Sequence, residues 1–268
     1  MHPSNKIIQG FWIGPKLSLM EQLSIRSFLA QGHEYHLYAY DAIDGVPKGT
    51  TIQDANEILP SDRIFTYQHG EEKGSYSGFA DLFRSHLLAK KGGWWADLDV
   101  ICLKPFDFAE EYVIASSYEG KWGNPAINCV MKMPPNSVLA NYLCEQSDAR
   151  DPNSLRFAET GPLLLQDALR KLQLENAIVD HEIFCPISWR TVQKRIAYAQ
   201  PCAWPLRAGI RVKEFARSIL KPHVTRDRVR PNSYAVHLWS EMWRRNQLDK
   251  NGVFHDNCLY EKLKQQYL

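Results

Sequence analysis

The sequence predicts an α/β fold, a mixed and mostly parallel sheet flanked by helices, on three observations. Short apolar runs of strand length alternate with amphipathic segments of helical period as far as about residue 172. Gly and Pro mark the junctions, as at Gly14-Pro15, Gly32 and Gly92-Gly93. A chain of 268 residues can bury one sizeable core, and α/β domains of this length often fold as one unit, so a single domain over 1–268 is expected.

Lys6 to Ile13 (K-I-I-Q-G-F-W-I) reads as a buried strand, stopped by Gly14-Pro15, a dipeptide that cannot continue a ladder. From Leu17 to Gln31 the residues Leu19, Met20, Leu23, Phe28 and Leu29 recur near helical spacing, and Gly32 takes the C′ position. Tyr35 to Tyr40 is a second strand, so the chain opens strand, helix, strand. Thr50 to Tyr76 is polar and turn-rich and reads as a surface excursion, with a short helix near Asp54 to Leu59 ended by Pro60. Ser77 to Lys91 places Phe79, Leu82, Phe83, Leu87 and Leu88 on one helical face before the Gly92-Gly93 stop. Trp94 to Leu103 then reads as one strand. Tyr112 to Ser116 and Ala126 to Met131 are further strands, and Asn136 to Gln146 and Pro162 to Leu172 further helices. Beyond about Ile183 the pattern is less regular.

With 44% apolar and 23% charged residues, disorder and fibrous folds are excluded. A net charge of +2 provides no global field for nucleic acid, so no nucleic-acid partner is expected. Local charge differs: Arg207 to Arg230 carries eight Lys and Arg against Glu214 and Asp227. A solvated helix face explains this segment; the functional alternative is peripheral contact with anionic lipid headgroups or a phosphorylated acceptor. Six scattered cysteines without a C-x-x-C pair fit a reducing, cytoplasmic setting. No signal-peptide pattern and no apolar run of membrane-spanning length is expected to act here, so any membrane contact is made from the surface.

Chemistry concentrates in Trp94-Trp95-Ala96-Asp97-Leu98-Asp99-Val100. On a strand, Asp97 and Asp99 at i and i+2 face the same way, close enough to share an ion. Hard carboxylate ligands suit Mn2+ or Mg2+, which also bind substrate phosphates. A D-x-D alone arises by chance about once in a chain of this length. This one follows a Gly-Gly helix stop and lies in an apolar run, where unneutralised carboxylates are costly. Asp81 and Arg84, at i and i+3 on the preceding helix, read on their own as an intrahelical ion pair, and Trp12 as a core residue.

Together, I-I-Q-G-F-W-I-G (7 to 14) and F-A-D-L-F-R-S-H-L-L-A-K-K-G-G-W-W-A-D-L-D-V (79 to 100) resemble the glycosyltransferase family with a DXD sugar-binding region. That family includes α-1,6-mannosyltransferases, α-1,4-galactosyltransferases, bacterial capsule and lipopolysaccharide transferases and, more distantly, the clostridial glucosylating toxins. Shorter similarities are A-I-N-C-V-M (126 to 131), E-T-G-P-L-L-L (159 to 165) and H-L-W-S-E-M-W (237 to 243). Gln9 stands where many members have His, and Trp95 where Tyr is common.

The resemblance implies a GT-A type domain. Residues of about 1–105 would form its nucleotide-sugar-binding half, about 106–200 its acceptor side and about 201–268 a C-terminal closing segment. It implies that Trp12 stacks on the base, that Asp81, Arg84 and Asp97 contact ribose, sugar or phosphate, and that Asp99 holds Mn2+ (or Mg2+) with Asp97 and His237 nearby. Trp239 would lie over the diphosphate. Retention of configuration is implied, and with no obvious carboxylate nucleophile, front-side attack supported by Asn128 is the expected route. The donor is expected to be a UDP-linked hexose and the acceptor a bacterial surface glycan, free or lipid-linked. The rivals are a metal-dependent nucleotidyl or phosphoryl transferase, disfavoured by the lack of a Gly-rich phosphate loop, and a non-catalytic carbohydrate-binding protein.

Overall fold

The computed structural model describes residues 1–198 and 227–268. Strands β1 (Ile7–Phe11), β2 (Glu34–Ala39), β3 (Thr50–Asp54) and β4 (Gly93–Ala96) run parallel, and β5 (Val100–Cys102) follows β4 after a turn. Next come β6 (Val113–Ser116) and β7 (Ala126–Met133), which complete a six-stranded sheet in the order β3-β2-β1-β4-β7-β6. Only β7 runs against its neighbours in this sheet. A second, two-stranded sheet pairs β5 with β8 (Ala235–His237), antiparallel. The sheet is thus mixed and mostly parallel, as expected.

Helix α1 (Leu19–Ala30) joins β1 to β2 and begins in a capping box, with Ser18 and Glu21 satisfying each other's backbone donors. Helix α2 (Ser77–Lys91) leads into β4 and ends at Gly92, whose φ is +62°. A Cβ there would also come within 2.4 Å of Pro135 N, so glycine is required twice over. Helices α3 (Val138–Asp148) and α4 (Pro162–Lys171) pack beside α2 and over β7, and α5 (His181–Phe184) and α6 (Val192–Arg195) are single turns. After β8 come α7 (Ser240–Arg245) and α8 (Leu259–Tyr267).

Alternation along β4 sends Trp94 and Trp95 to opposite sides of the sheet. Trp95 packs with Phe11, Phe79, Phe83 and Met131, and Trp94 with Ile8, Phe28, Phe106 and Phe184. A third cluster, including Met20, Leu23, Ile101, Val236, Trp243 and Tyr260, fastens the C-terminal helices to α1 and β5.

Two expectations need correction. Residues 50–54 are a strand, not part of a loop excursion. They form an edge strand paired only to β2, so Thr50-Thr51-Ile52-Gln53-Asp54 is largely solvated and lacks apolar alternation. The run 94–103 is two strands in two sheets, broken by a turn at 97–99 in which the Val100 N–H donates to the Asp97 carbonyl at 3.0 Å. Asp97 and Asp99 are therefore not fellow residues of one pleated face. Among the described residues no helix is long and apolar enough to cross a membrane. Most of the basic stretch 207–230 lies outside the described residues.

Candidate active site

The turn at 97–99 leaves the carboxyl edge of β4, and β1 places Trp12 at the same edge, because Gln9 pairs with Trp95. In open α/β sheets this edge is where ligands bind. Helix α2 returns antiparallel to β4, so its first turns lie beside this edge and its last turns far from it. That geometry, invisible in the i, i+3 spacing alone, brings Asp81 and Arg84 against Asp97.

The contacts form two connected groups. In the first, Arg84 Nη2 lies 3.0 Å from Asp97 Oδ1 and 3.5 Å from Asp81 Oδ1, and Nη1 donates to the Asn128 carbonyl. Asn128 Nδ2 donates to Asp81 Oδ1 at 2.7 Å, and Trp95 Nε1 to Asp97 Oδ1 at 2.7 Å. The Arg84 guanidinium also lies 4.7 Å from the centre of the Trp95 ring. Trp95 thus supplies an N–H donor to the carboxylate two residues further on. In the second group, Asp99 Oδ2 accepts from the Ser240 backbone N–H at 2.7 Å and lies 3.2 Å from His237 Nε2. The β5–β8 register pairs Val100 with His237, which is why residues 138 positions apart meet.

One ligand atom each from Asp97, Asp99 and His237 lies within 4.8 Å of the other two. The hydrogen bonds just described use Oδ1 of Asp97 and Oδ2 of Asp99. Two carboxylates and an imidazole are an acceptable donor set for Mn2+ or Mg2+ completed by phosphate oxygens, and the residues fit such an ion.

Electrostatics distinguish the three aspartates. Burial pushes the Asp81 carboxyl up to about 6, with Arg84 and Asn128 pulling the other way. Burial also raises Asp97, opposed by Arg84 and assisted by Asp99; with 26% of its side chain exposed, water offsets part of that rise. Asp99 is buried too, but the charge and hydrogen bond of His237 and the N–H of Ser240 outweigh burial and hold it well below the ordinary carboxylate range. His237 is correspondingly raised, burial being overcome by Asp99.

Trp239 has left-handed backbone angles (φ 61°, ψ 58°), uncommon for a bulky residue, and its ring lies 4.1 Å from that of His237. Its Nε1 donates to the Ile187 carbonyl at 2.8 Å. Trp12 is half-buried at the same edge of the main sheet, and Gly14 (φ +140°) crosses its indole, where a Cβ would sit 3.2 Å from Nε1.

Three contributors escape sequence reasoning. Gly161 abuts Asp81 so closely that a Cβ would fall 2.4 Å from Oδ2. Ser240 contributes only its backbone N–H, which no side-chain pattern reveals. Gln9, buried in β1, donates to the Gly92 and Trp94 carbonyls at 2.8 and 3.1 Å and so braces the entry to β4. For Gly161, the Thr-Gly-Pro helix start was the available signal.

Residues 19–118 match the family model described as a glycosyltransferase sugar-binding region containing a DXD motif. Subversion of eukaryotic traffic protein A of Legionella pneumophila is 31% identical over 64 residues, which are 24% of this chain. The chain spans about 10% of that relative's length. Among solved structures, the PaToxG glycosyltransferase aligns at 14% identity and TM-score 0.44, over 92% of this chain and 86% of its own. GlyE of Streptococcus pneumoniae aligns at 11% identity and TM-score 0.41, over 91% and 61%. An active-site mutant of LgtC aligns at 10% identity and TM-score 0.42, over 97% and 94%. The matched residues 19–118 are thus similar to a glycosyltransferase sugar-binding region, and Asp97-Leu98-Asp99 is the D-x-D that lies within them.

Proposed function

We propose that the protein is a retaining transferase that moves a hexose from a UDP-sugar to a bacterial surface glycan, and that Asp97, Asp99 and His237 hold the divalent cation it needs. The observation that carries this reading is the convergence of those three side chains within 4.8 Å at the carboxyl edge of β4, beside the Arg84, Asp81 and Asn128 group. Bound Mn2+ or Mg2+ would supply positive charge for the departing diphosphate.

The remaining chemistry belongs to the chain. Arg84 carries a fixed positive charge between Asp81 and Asp97 and orients both carboxylates for sugar or ribose hydroxyls. Trp12 offers an aromatic face at the same sheet edge for the base, and Trp239 an apolar cover that excludes water. Asn128, anchored through Nδ2 on Asp81, keeps its Oδ1 for the sugar or the incoming hydroxyl. Retention is supported by how fully the neighbouring carboxylates are engaged. Asp81 is tied to Arg84 and Asn128, Asp97 to Arg84 and Trp95, and Asp99 to His237 and Ser240, so a covalent sugar ester would have to break one of these pairs. Front-side attack, with the departing phosphate taking the acceptor proton, leaves them in place. The acceptor on this reading is a lipopolysaccharide, capsule or O-antigen chain, and the basic composition of 207–230 would attract anionic headgroups.

The test is release of free nucleotide from a panel of UDP- and GDP-sugars with Mn2+, for wild type and Asp99→Asn. Turnover of a UDP-hexose by wild type and its loss in the variant, at unchanged circular dichroism, is expected. Equal turnover by both would remove Asp99 from the metal site.

A further inference from the structure

Behind the carboxylate cluster lies a second group of metal-ligand side chains, two of which the transfer chemistry does not use. Strand alternation on β7 turns Asn128 toward α2 and Cys129 to the opposite face. There Cys129 Sγ lies 3.6 Å from Cys185 Sγ, just past α5. A ring nitrogen of His237 lies within 4.8 Å of both sulfurs. All three residues are buried, Cys129 and Cys185 at 2% exposure and His237 at 8%. While His237 Nε2 faces Asp99, its Nδ1 is sealed from solvent, and the Cys129 thiol also comes within hydrogen-bonding reach of the ring.

We infer that Cys129, Cys185 and His237 form a site for a thiophilic divalent cation of the zinc and cadmium class. Two thiolates on one tetrahedral zinc, each about 2.3 Å from it, stand roughly 3.8 Å apart, so the sulfurs already have nearly the spacing required. They are well outside the roughly 2 Å of a disulfide. An imidazole that ligates a metal usually has its other nitrogen on a carboxylate, and Asp99 Oδ2, 3.2 Å from Nε2, occupies that outer position. A bound ion would give the buried Nδ1 a stronger partner than a thiol, which is only a weak hydrogen-bonding group.

Donor softness keeps the two clusters distinct. Oxygen ligands at Asp97 and Asp99 favour Mn2+ or Mg2+, whereas two sulfurs favour zinc or cadmium and release their protons on binding. If the reading of the preceding subsection holds, the ions compete for one shared imidazole, and zinc would inhibit transfer. The three ligands come from positions 129, 185 and 237, which is why no cysteine spacing announces them.

The direct experiment loads reduced full-length wild type with one equivalent of Zn2+ and measures its X-ray absorption. Two sulfur scatterers at about 2.3 Å are expected. Titration with Cd2+ should give a thiolate-to-metal charge-transfer band that saturates at one ion per chain. The band should be lost in Cys129→Ser and in Cys185→Ser and kept in Cys144→Ser, which changes a cysteine remote from the cluster. A zinc shell of oxygen and nitrogen alone in wild type overturns the proposal, whatever the variants do. So does a cadmium band that survives both substitutions. A sulfur shell in a protein that turns over no nucleotide sugar would sustain this site and sink only the transferase reading.

Discussion

Asp97 and Asp99 stand two residues apart yet answer to different parts of the chain, Asp97 to Arg84 and Trp95 and Asp99 to His237 and Ser240. Because they flank a turn, each is set by its own partners. Asp81 adds a pH signature. Its carboxyl is raised in the folded protein to about 6, above its unfolded value, so the folded state holds that proton more tightly. Its contribution to stability is complete below about pH 4 and is lost as pH rises through 6. Asp81→Asn cannot lose it. Denaturant unfolding should therefore show the variant gaining on wild type between pH 4.5 and 7.5, by on the order of 1–3 kcal/mol. Nucleotide-sugar binding should fall in the same variant at every pH. A pH-independent stability difference would contradict the buried, proton-retaining carboxyl. Trp12→Ala tests the base platform: stacking is worth about 1–3 kcal/mol per base, so UDP affinity should drop roughly 5- to 150-fold in calorimetry with little change in melting temperature. A large loss of stability with normal UDP affinity would make Trp12 a core residue.

At the scale of elements, the C-terminal segment is fastened where the site needs it. Lys250 reaches back to the buried Glu21 at 2.7 Å, Asn251 Oδ1 accepts the Leu19 N–H, and the Tyr267 hydroxyl donates to the Cys102 carbonyl. Glu21 is 1% exposed and also closes the α1 capping box. Lys250→Ala leaves that carboxylate without its cation and should cost about 1–3 kcal/mol in urea unfolding. Adding Glu21→Gln should recover part of the loss. Additive losses in the double variant would show that the pair is not coupled.

What the sequence reveals of these elements follows how locally each is determined. Helix α2 is legible to the residue, because its apolar face, its length and its Gly92-Gly93 stop all agree. Edge strand β3 is not, since a strand paired on one side and solvated on both faces has no alternation to read. The 94–103 run deceives in another way. Apart from its two aspartates it is apolar because two different sheets bury it, and that continuity conceals the turn that carries the chemistry. The DXD pair and the α2 residues are visible as side-chain types, and His237 only through resemblance. Ser240, acting by its backbone, and Cys129 with Cys185, meeting only in the fold, are legible from neither.

For the whole molecule, a net charge of +2 conceals an uneven distribution, with an excess of six positive charges between 207 and 230. On the proposed reading this stretch holds the enzyme at an anionic surface beside a lipid-linked acceptor. Cosedimentation with anionic vesicles should then be strong at low salt and fade as ionic strength rises, because exposed charges beyond a Debye length of about 10 Å at 0.1 M are screened. Neutral vesicles should bind little at any salt. Equal sedimentation with both at low salt would leave the stretch as a solvated face.

Strand β7, the one member of the main sheet that runs against its neighbours, has a consequence for how this protein tolerates change. Asn128 and Cys129 are adjacent in sequence but serve opposite faces, the first joined to Asp81 and the second beside Cys185 and His237. With a side-chain period of two, a shift of one residue along β7 exchanges those faces, placing a thiol beside Arg84 and an amide among the sulfurs. Insertions and deletions should therefore be accepted in the 117–125 connection, where β6 and β7 are joined by a turn, and rejected within 126–133. A deep insertion–deletion scan scored on soluble expression should trace that boundary as an abrupt edge at the start of β7.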